Sequence, residues 1–327
     1  MTDCGTPLTS ARFCRAVRTL RGSFPFVCCK TLARTAFGRP LLALQLGDGP
    51  ARVLATAGHH ANEWITSLML LRLIENYCLA LRGEGAFGGL RASALFHSAV
   101  LYAVPMVNPD GIDLVTGAAN PAEIRAARAL AAAHPEIPFP SGWKANLLGV
   151  DLNLNYPAGW DRARACKREA GFTGPAPRDW PGEFPLDQKE CAALAAYTGC
   201  VRPDLALAWH TQGGEIYDDF QGFRPPGAEA FTAAFAAASG YRAAQVPASS
   251  SNAGFKDWFL QRFRRPGFTV EAGRGENPLP LSSLPALLRE NEPILALALA
   301  QQPIPYAAPD SADFPTDLSP HRPSAIL

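Results

Sequence analysis

The sequence predicts a single α/β domain, with helices on both faces of a mixed β-sheet. Three observations predict it. Short apolar runs of strand length alternate with longer runs at helical spacing along almost the whole chain. Three of the strand-like runs follow one another through tight Gly/Pro turns, which adds an antiparallel portion. No internal repeat or linker divides the 327 residues, a length that suits one large domain.

Residues 1–25 are weakly patterned and read as an N-terminal extension with one short helix over 11–20. The domain then occupies 26–301. It opens with strands over 26–35, 41–46 and 52–57, expected to form an antiparallel meander at one side of the sheet. Residues 63–81 carry apolar side chains at helical spacing and stop at Gly83. A buried strand over 99–104 leads to Asn108, Pro109, Asp110 and Gly111, a turn by composition. An Ala-rich helix over 121–134 has Pro near its first position. Residues 141–157 read as loop, and 161–185 as an irregular stretch long enough to form the wall of a binding cleft. Helices over 186–198, 228–239 and 255–263 and strands over 205–209 and 267–270 follow. A last helix over 284–300 is expected to break at Pro293. Residues 302–327 form a Pro-rich tail to which no chemistry is assigned.

Composition narrows the function classes. Net charge is +1 and the basic residues are scattered, so neither nucleic acid nor an anionic membrane is expected as partner. Hydrophobic residues make up 48%, which is ample for a core that needs no disulfide. The eight cysteines lack metal-type spacing and are expected to be free thiols in a reducing compartment. No stretch has the apolar core of a signal peptide or the length of a membrane span, so the expectation is a cytoplasmic protein.

Chemistry concentrates at 58–64, which reads Gly-His-His-Ala-Asn-Glu-Trp. His60 and Glu63 stand three apart at a strand-to-helix turn, where an imidazole and a carboxylate can face one point, as zinc ligands often do. His59 is an alternative ligand, but its spacing to Glu63 is less suitable. A third ligand should come from the end of another strand, and His210 closes 205–209 in that way. Glu271 closes 268–270 similarly and is the candidate base. A lone His-x-x-Glu occurs by chance in many proteins. All four residues, however, follow apolar strands at the carboxyl ends, where open α/β sheets place their ligands.

With these residues in place, the chain resembles the zinc carboxypeptidase family of metallopeptidases. The matching pieces are 58–64, Asn108 to Gly111, 149–153 (Gly-Val-Asp-Leu-Asn), Trp209 with His210, and 268–271 (Phe-Thr-Val-Glu). The resemblance implies a mixed, twisted eight-stranded sheet between helices. It implies one zinc ion per chain, held by His60, Glu63 and His210, with Glu271 as general base. Asp151 would orient the imidazole of His60. Lys144 falls where the family usually has an arginine that stabilises the oxyanion, and Asn153 where it contacts the substrate carboxylate.

Two departures bear on the substrate. Digestive-type members carry an arginine after the asparagine, but Leu154 follows Asn153; they also carry a tyrosine some twenty residues before the catalytic glutamate, and none stands there. The stretch 143–146 (Trp-Lys-Ala-Asn), followed by 149–153, Tyr156, Pro157 and Trp160, is similar to the γ-D-glutamyl-L-diamino acid peptidases that cut bacterial cell-wall peptides. That resemblance implies a cell-wall-derived peptide substrate rich in carboxylates, with Lys144, Lys256 and Arg274 as cations to meet them. The competing readings are a carboxypeptidase or deacylase of other specificity, a non-catalytic metal-binding protein of this fold, and an iron(II) site on an all-β barrel.

Overall fold

The computed structural model describes residues 5–247 and 250–304. The N-terminal helix α1 (Ser10–Ser23) is capped by the Thr9 side chain and turns Phe13, Val17 and Leu20 into the main hydrophobic core. Ser10 adds two bonds to Asp113, from its N–H (2.7 Å) and its hydroxyl (2.6 Å).

Strands β1 (Cys28–Arg34), β2 (Pro40–Leu46) and β3 (Ala51–Ala57) come next. They do not form the expected meander. After α2 (Ile65–Arg82), a small hairpin of β4 (Ala86–Phe87) and β5 (Leu90–Arg91), and α3 (Ala92–Ser98), strand β6 (Ala99–Val104) inserts between β2 and β3. It runs antiparallel to β2 and parallel to β3. The apolar runs themselves could not reveal this, because a buried strand reads the same whichever neighbour it takes.

Residues 108–111 start helix α4 (Pro109–Val115) where a plain turn was expected. Asn108 caps it by accepting the Gly111 N–H at 2.9 Å, and Pro109 occupies the first turn, where its missing N–H costs nothing. Helix α5 (Pro121–Ala131) follows behind a capping box of Asn120 and Glu123. The stretch read as irregular begins instead with α6 (Trp160–Glu169); only 170–188 is without regular structure.

The second half supplies α7 (Lys189–Val201), β7 (Leu205–His210), β8 (Glu215–Tyr217), α8 (Ala228–Ser239), β9 (Arg242–Ala243), α9 (Phe255–Phe263), β10 (Gly267–Glu271) and α10 (Leu284–Leu299). Strands β8 and β9 are too short to announce themselves by alternation. Helix α10 runs through Pro293 without interruption. The eight-stranded mixed sheet has the order β1-β2-β6-β3-β7-β10-β8-β9.

Alternate residues of each central strand enter different cores. Val53, Ala55 and Ala57 pack with α2, α8 and α10, whereas Leu54 packs with α7 and α9. Helices therefore cover both faces, which is why these strands are apolar throughout. Helix α2 and the turn before it are apolar and long enough to cross a membrane by composition, but most of that stretch (72%) is buried inside the fold. The seven described cysteines are free thiols, and Cys4 and residues 305–327 lie outside the described residues.

One ionic cluster fastens the β1–β2 turn to the helices beside the site. Arg39 reaches Asp113 (2.6 Å), Asp110 (3.0 Å) and Glu123 (2.9 Å), and its guanidinium is held charged against burial by these carboxylates. Removing the cation leaves three buried carboxylates facing one another. Arg39→Met is expected to destabilise the protein by about 3–5 kcal/mol in urea melts at neutral pH.

Candidate active site

The parallel register of three strands builds the site. Ala57 of β3 lies opposite Trp209 of β7, and Glu271 of β10 lies opposite His210, so all three strands end at one level. The chain leaves β3 towards β6 on one side and later enters β7 on the other, which opens a crevice between them at the carboxyl ends.

Beyond β3 the chain turns at Gly58 (φ +69°), where a Cβ would lie 2.2 Å from the Ser67 hydroxyl oxygen. A short 3-10 turn, Ala61–Glu63, then aims His60 and Glu63 the same way. The Ala61 and Asn62 N–H groups bond to the Lys144 and Trp143 carbonyls, each at 3.0 Å, so this turn carries the Lys144 loop with it. Asn108 joins both, donating to the carbonyls of His59 (3.1 Å) and Ala145 (3.0 Å). Gly111 has to be glycine, because a Cβ would meet the Ala145 carbonyl at 2.3 Å.

His60, Glu63 and His210 converge at the crevice. His60 Nδ1 lies 2.9 Å from Glu63 Oε1, His210 Nδ1 lies 3.0 Å from Glu63 Oε2, and the two Nδ1 atoms are 3.2 Å apart. His60 Nε2 lies 3.1 Å from Asp151 Oδ1, which keeps a proton on that nitrogen and leaves Nδ1 as the atom to ligate a metal once its own proton is displaced. His59 is not part of the group: its Nε2 faces the Tyr156 hydroxyl at 3.2 Å, and its ring stacks on His210.

These residues fit zinc. Two ligand atoms of a tetrahedron with bonds of about 2.05 Å lie roughly 3.3 Å apart, close to the spacings found here. With both imidazoles neutral and Glu271 ionised, the carboxylates of Glu63, Asp151 and Glu271 outnumber the Lys144 ammonium among them, which suits a divalent cation. Among the protein's own charges the strain is visible. Burial opposes ionisation of Glu63 and Asp151, yet His60 and Lys144 hold both well below the usual carboxylate range. Burial and the nearby Glu63 carboxylate push Glu271 up to about 8. Burial works against charge on His60, but Glu63 and Asp151 outweigh it and raise its pKa to about 9. His210 is lowered by burial in spite of Glu63.

The group opens on a cavity of about 590 Å³, with Lys144, Asn153, Lys256 and Glu271 in its wall. Lys144 Nζ bonds to Glu63 Oε1 at 3.2 Å. The side-chain carbonyl of Asn153 accepts the Phe255 N–H at 3.0 Å, leaving its amide nitrogen as the donor for the cavity. Two of the expected substrate cations fare differently. Lys256 is buried and already paired with Asp257 at 2.7 Å and with the Asp219 carbonyl. Arg274 is not brought into the cavity; its guanidinium packs over Gly214 and points to the Gly240 carbonyl at 3.4 Å. Among the other side chains in the cavity wall are Arg178, from the stretch expected to form a cleft wall, and Tyr217. Tyr217 donates to the Glu215 carboxylate on β8. Neither belongs to a motif, and β8 itself is too short to be read.

Fold and site define a hydrolase built around one metal ion; an all-β barrel for iron is ruled out by the sheet. The chain belongs to the zinc carboxypeptidase family, whose model matches residues 14–292. It is therefore a zinc metallopeptidase, and His60, Glu63 and His210 are the group of described residues that can hold the ion. The chain is 38% identical over 274 residues to γ-D-glutamyl-L-diamino acid endopeptidase 1 of Lysinibacillus sphaericus, covering 84% of this chain and 67% of that protein. It is also 38% identical over 289 residues to the uncharacterized protein YqgT of Bacillus subtilis, covering 87% and 75%. Among solved structures, bovine thrombin-activatable fibrinolysis inhibitor superposes with a TM-score of 0.68 at 16% identity, covering 91% of this chain and 97% of that one. Carboxypeptidase A of Helicoverpa armigera does so at 0.68 and 16%, covering 91% and 75%. At such identities these two show the fold alone.

The charges of the site make two outcomes measurable. Asp151→Asn is expected to weaken zinc binding by about 10- to 100-fold, read by competition with a chromogenic chelator. In zinc-free protein, His60 and Glu271 both bind their proton more tightly when folded than when unfolded. The stability this lends should therefore be lost as pH rises from the ordinary values, 4.5 for Glu271 and 6.5 for His60, through the folded ones of about 8 and about 9. Thermal melts of zinc-loaded protein should show a smaller loss, because zinc displaces the His60 proton.

Proposed function

We propose that the protein hydrolyses the γ-D-glutamyl amide to meso-diaminopimelate, or to lysine, in peptides derived from bacterial cell wall. The observation that carries this reading is the wall of the cavity beside Asn153. Asn153 lines it, but Leu154, which stands where an arginine would hold a C-terminal carboxylate, is buried away from it. The similarity to the Lysinibacillus endopeptidase over most of the chain supports the same substrate class.

His60, Glu63 and His210 hold the zinc, and Asp151 keeps the His60 imidazole in the ligating tautomer. Zinc bound there supplies Lewis acidity that activates water and polarises the scissile carbonyl. Glu271 accepts the proton of the attacking water and passes it to the leaving amine. Lys144, bonded to Glu63, places an ammonium where negative charge develops on the carbonyl oxygen, as a point charge without the fork of an arginine. Asn153 offers its amide nitrogen to the substrate. Lys256 and Asp257 act as a neutral pair that shapes the wall.

The test is incubation of zinc-loaded protein with L-Ala-γ-D-Glu-meso-diaminopimelate, followed by mass spectrometry. Release of diaminopimelate is expected, abolished by a chelator and restored by zinc. Glu271→Gln should lower kcat by about 10²–10⁴-fold while still binding zinc. Release of an ordinary α-linked C-terminal residue instead would favour a carboxypeptidase and sink the γ-glutamyl reading.

A further inference from the structure

A γ-linked D-glutamate carries a free α-carboxylate close to the bond that is cut, so a cation should meet it inside the cavity. Lys144 and Lys256 are already bonded to carboxylates, and Arg274 lies outside. Arg178 lines the cavity and differs from all three. Its Nε donates to Asp179 Oδ2 at 2.6 Å, and neither terminal nitrogen of the guanidinium has a partner among the described residues.

The surroundings keep that end of the side chain both charged and placed. Asp179 Oδ1 takes Lys167 Nζ at 2.5 Å, so two cations share one carboxylate and the trio keeps a net positive charge. The turn is then tied to the metal group. Asp179 N–H donates to Asp151 Oδ2 at 3.2 Å, and Asp151 N–H donates to the Trp180 carbonyl at 2.8 Å. The carboxylate that orients His60 with one oxygen thus holds the Arg178 loop with the other.

We infer that Arg178 is a specificity-determining residue that binds, through its two terminal nitrogens, the free α-carboxylate of the residue whose γ-carboxyl forms the scissile amide. The assignment rests on the proposed function. An arginine fork matches a carboxylate with two parallel hydrogen bonds, which an amide in the same place cannot accept.

The experiment compares L-Ala-γ-D-Glu-meso-diaminopimelate with the same peptide bearing an α-carboxamide on the D-glutamate, using wild type, Arg178→Gln and Arg178→Lys. Wild type should prefer the acid by roughly 10- to 100-fold in kcat/KM, the size of a charged hydrogen bond. Arg178→Gln should lose that preference, mainly through KM, and stay within about threefold of wild type on the amide. Arg178→Lys should restore part of it. Equal losses on both peptides in Arg178→Gln, or a wild type indifferent to amidation, would overturn the assignment and leave the proposed function standing. A wild type that cleaves neither peptide would overturn both.

Discussion

Charge confined at the ends of buried strands is the constraint on which the rest of this structure depends. Three carboxylates and two imidazoles crowd around the Lys144 ammonium at the edge of the cavity, and such a set is costly unless each member is paired. The protein meets this by giving every oxygen of Glu63 and Asp151 a partner. Once His60 and Glu271 give up their protons, Glu63, Asp151 and Glu271 outnumber the Lys144 ammonium by two charges, which is the charge of the family's zinc. The same deficit that would strain the fold makes the group a ligand set.

Rigidity comes from the backbone beneath. Parallel pairing of β3, β7 and β10 sets the level of His210 and Glu271, and Asn108 ties the His60 turn to the Lys144 loop. The four residues of the 108–111 motif divide the work of support. Asn108 caps α4 and cross-ties the two loops, Pro109 starts the helix, Asp110 anchors Arg39, and at Gly111 only a hydrogen fits. Motif residues of this kind touch no substrate, yet they fix where the ligands stand.

Much of the site was legible in the sequence because its ligands are short-range or terminal features. His60 and Glu63 are three residues apart, while His210 and Glu271 each end an apolar run. Asp151 and Asn153 were singled out through their motif. Which cations stand free to meet a ligand was not legible. Lys256 and Arg274 carry the right charge, but a charge in a sequence does not say whether Asp257 neutralises it or whether the side chain faces the cleft. Arg178 was not singled out, although the irregular stretch that holds it was expected to form a cleft wall and Arg178 does line the cavity.

By itself, the sequence determined the α/β class, the two apolar faces of the central strands and the metal-binding residues, because burial and local spacing are written in residue type and order. Tertiary structure decided that β6 enters between β2 and β3, that α10 continues through Pro293, and which cations remain available to a ligand. Those outcomes depend on pairings between residues far apart in the chain. Such pairings are settled by competition among whole-molecule packings and charge balances, which no local pattern encodes.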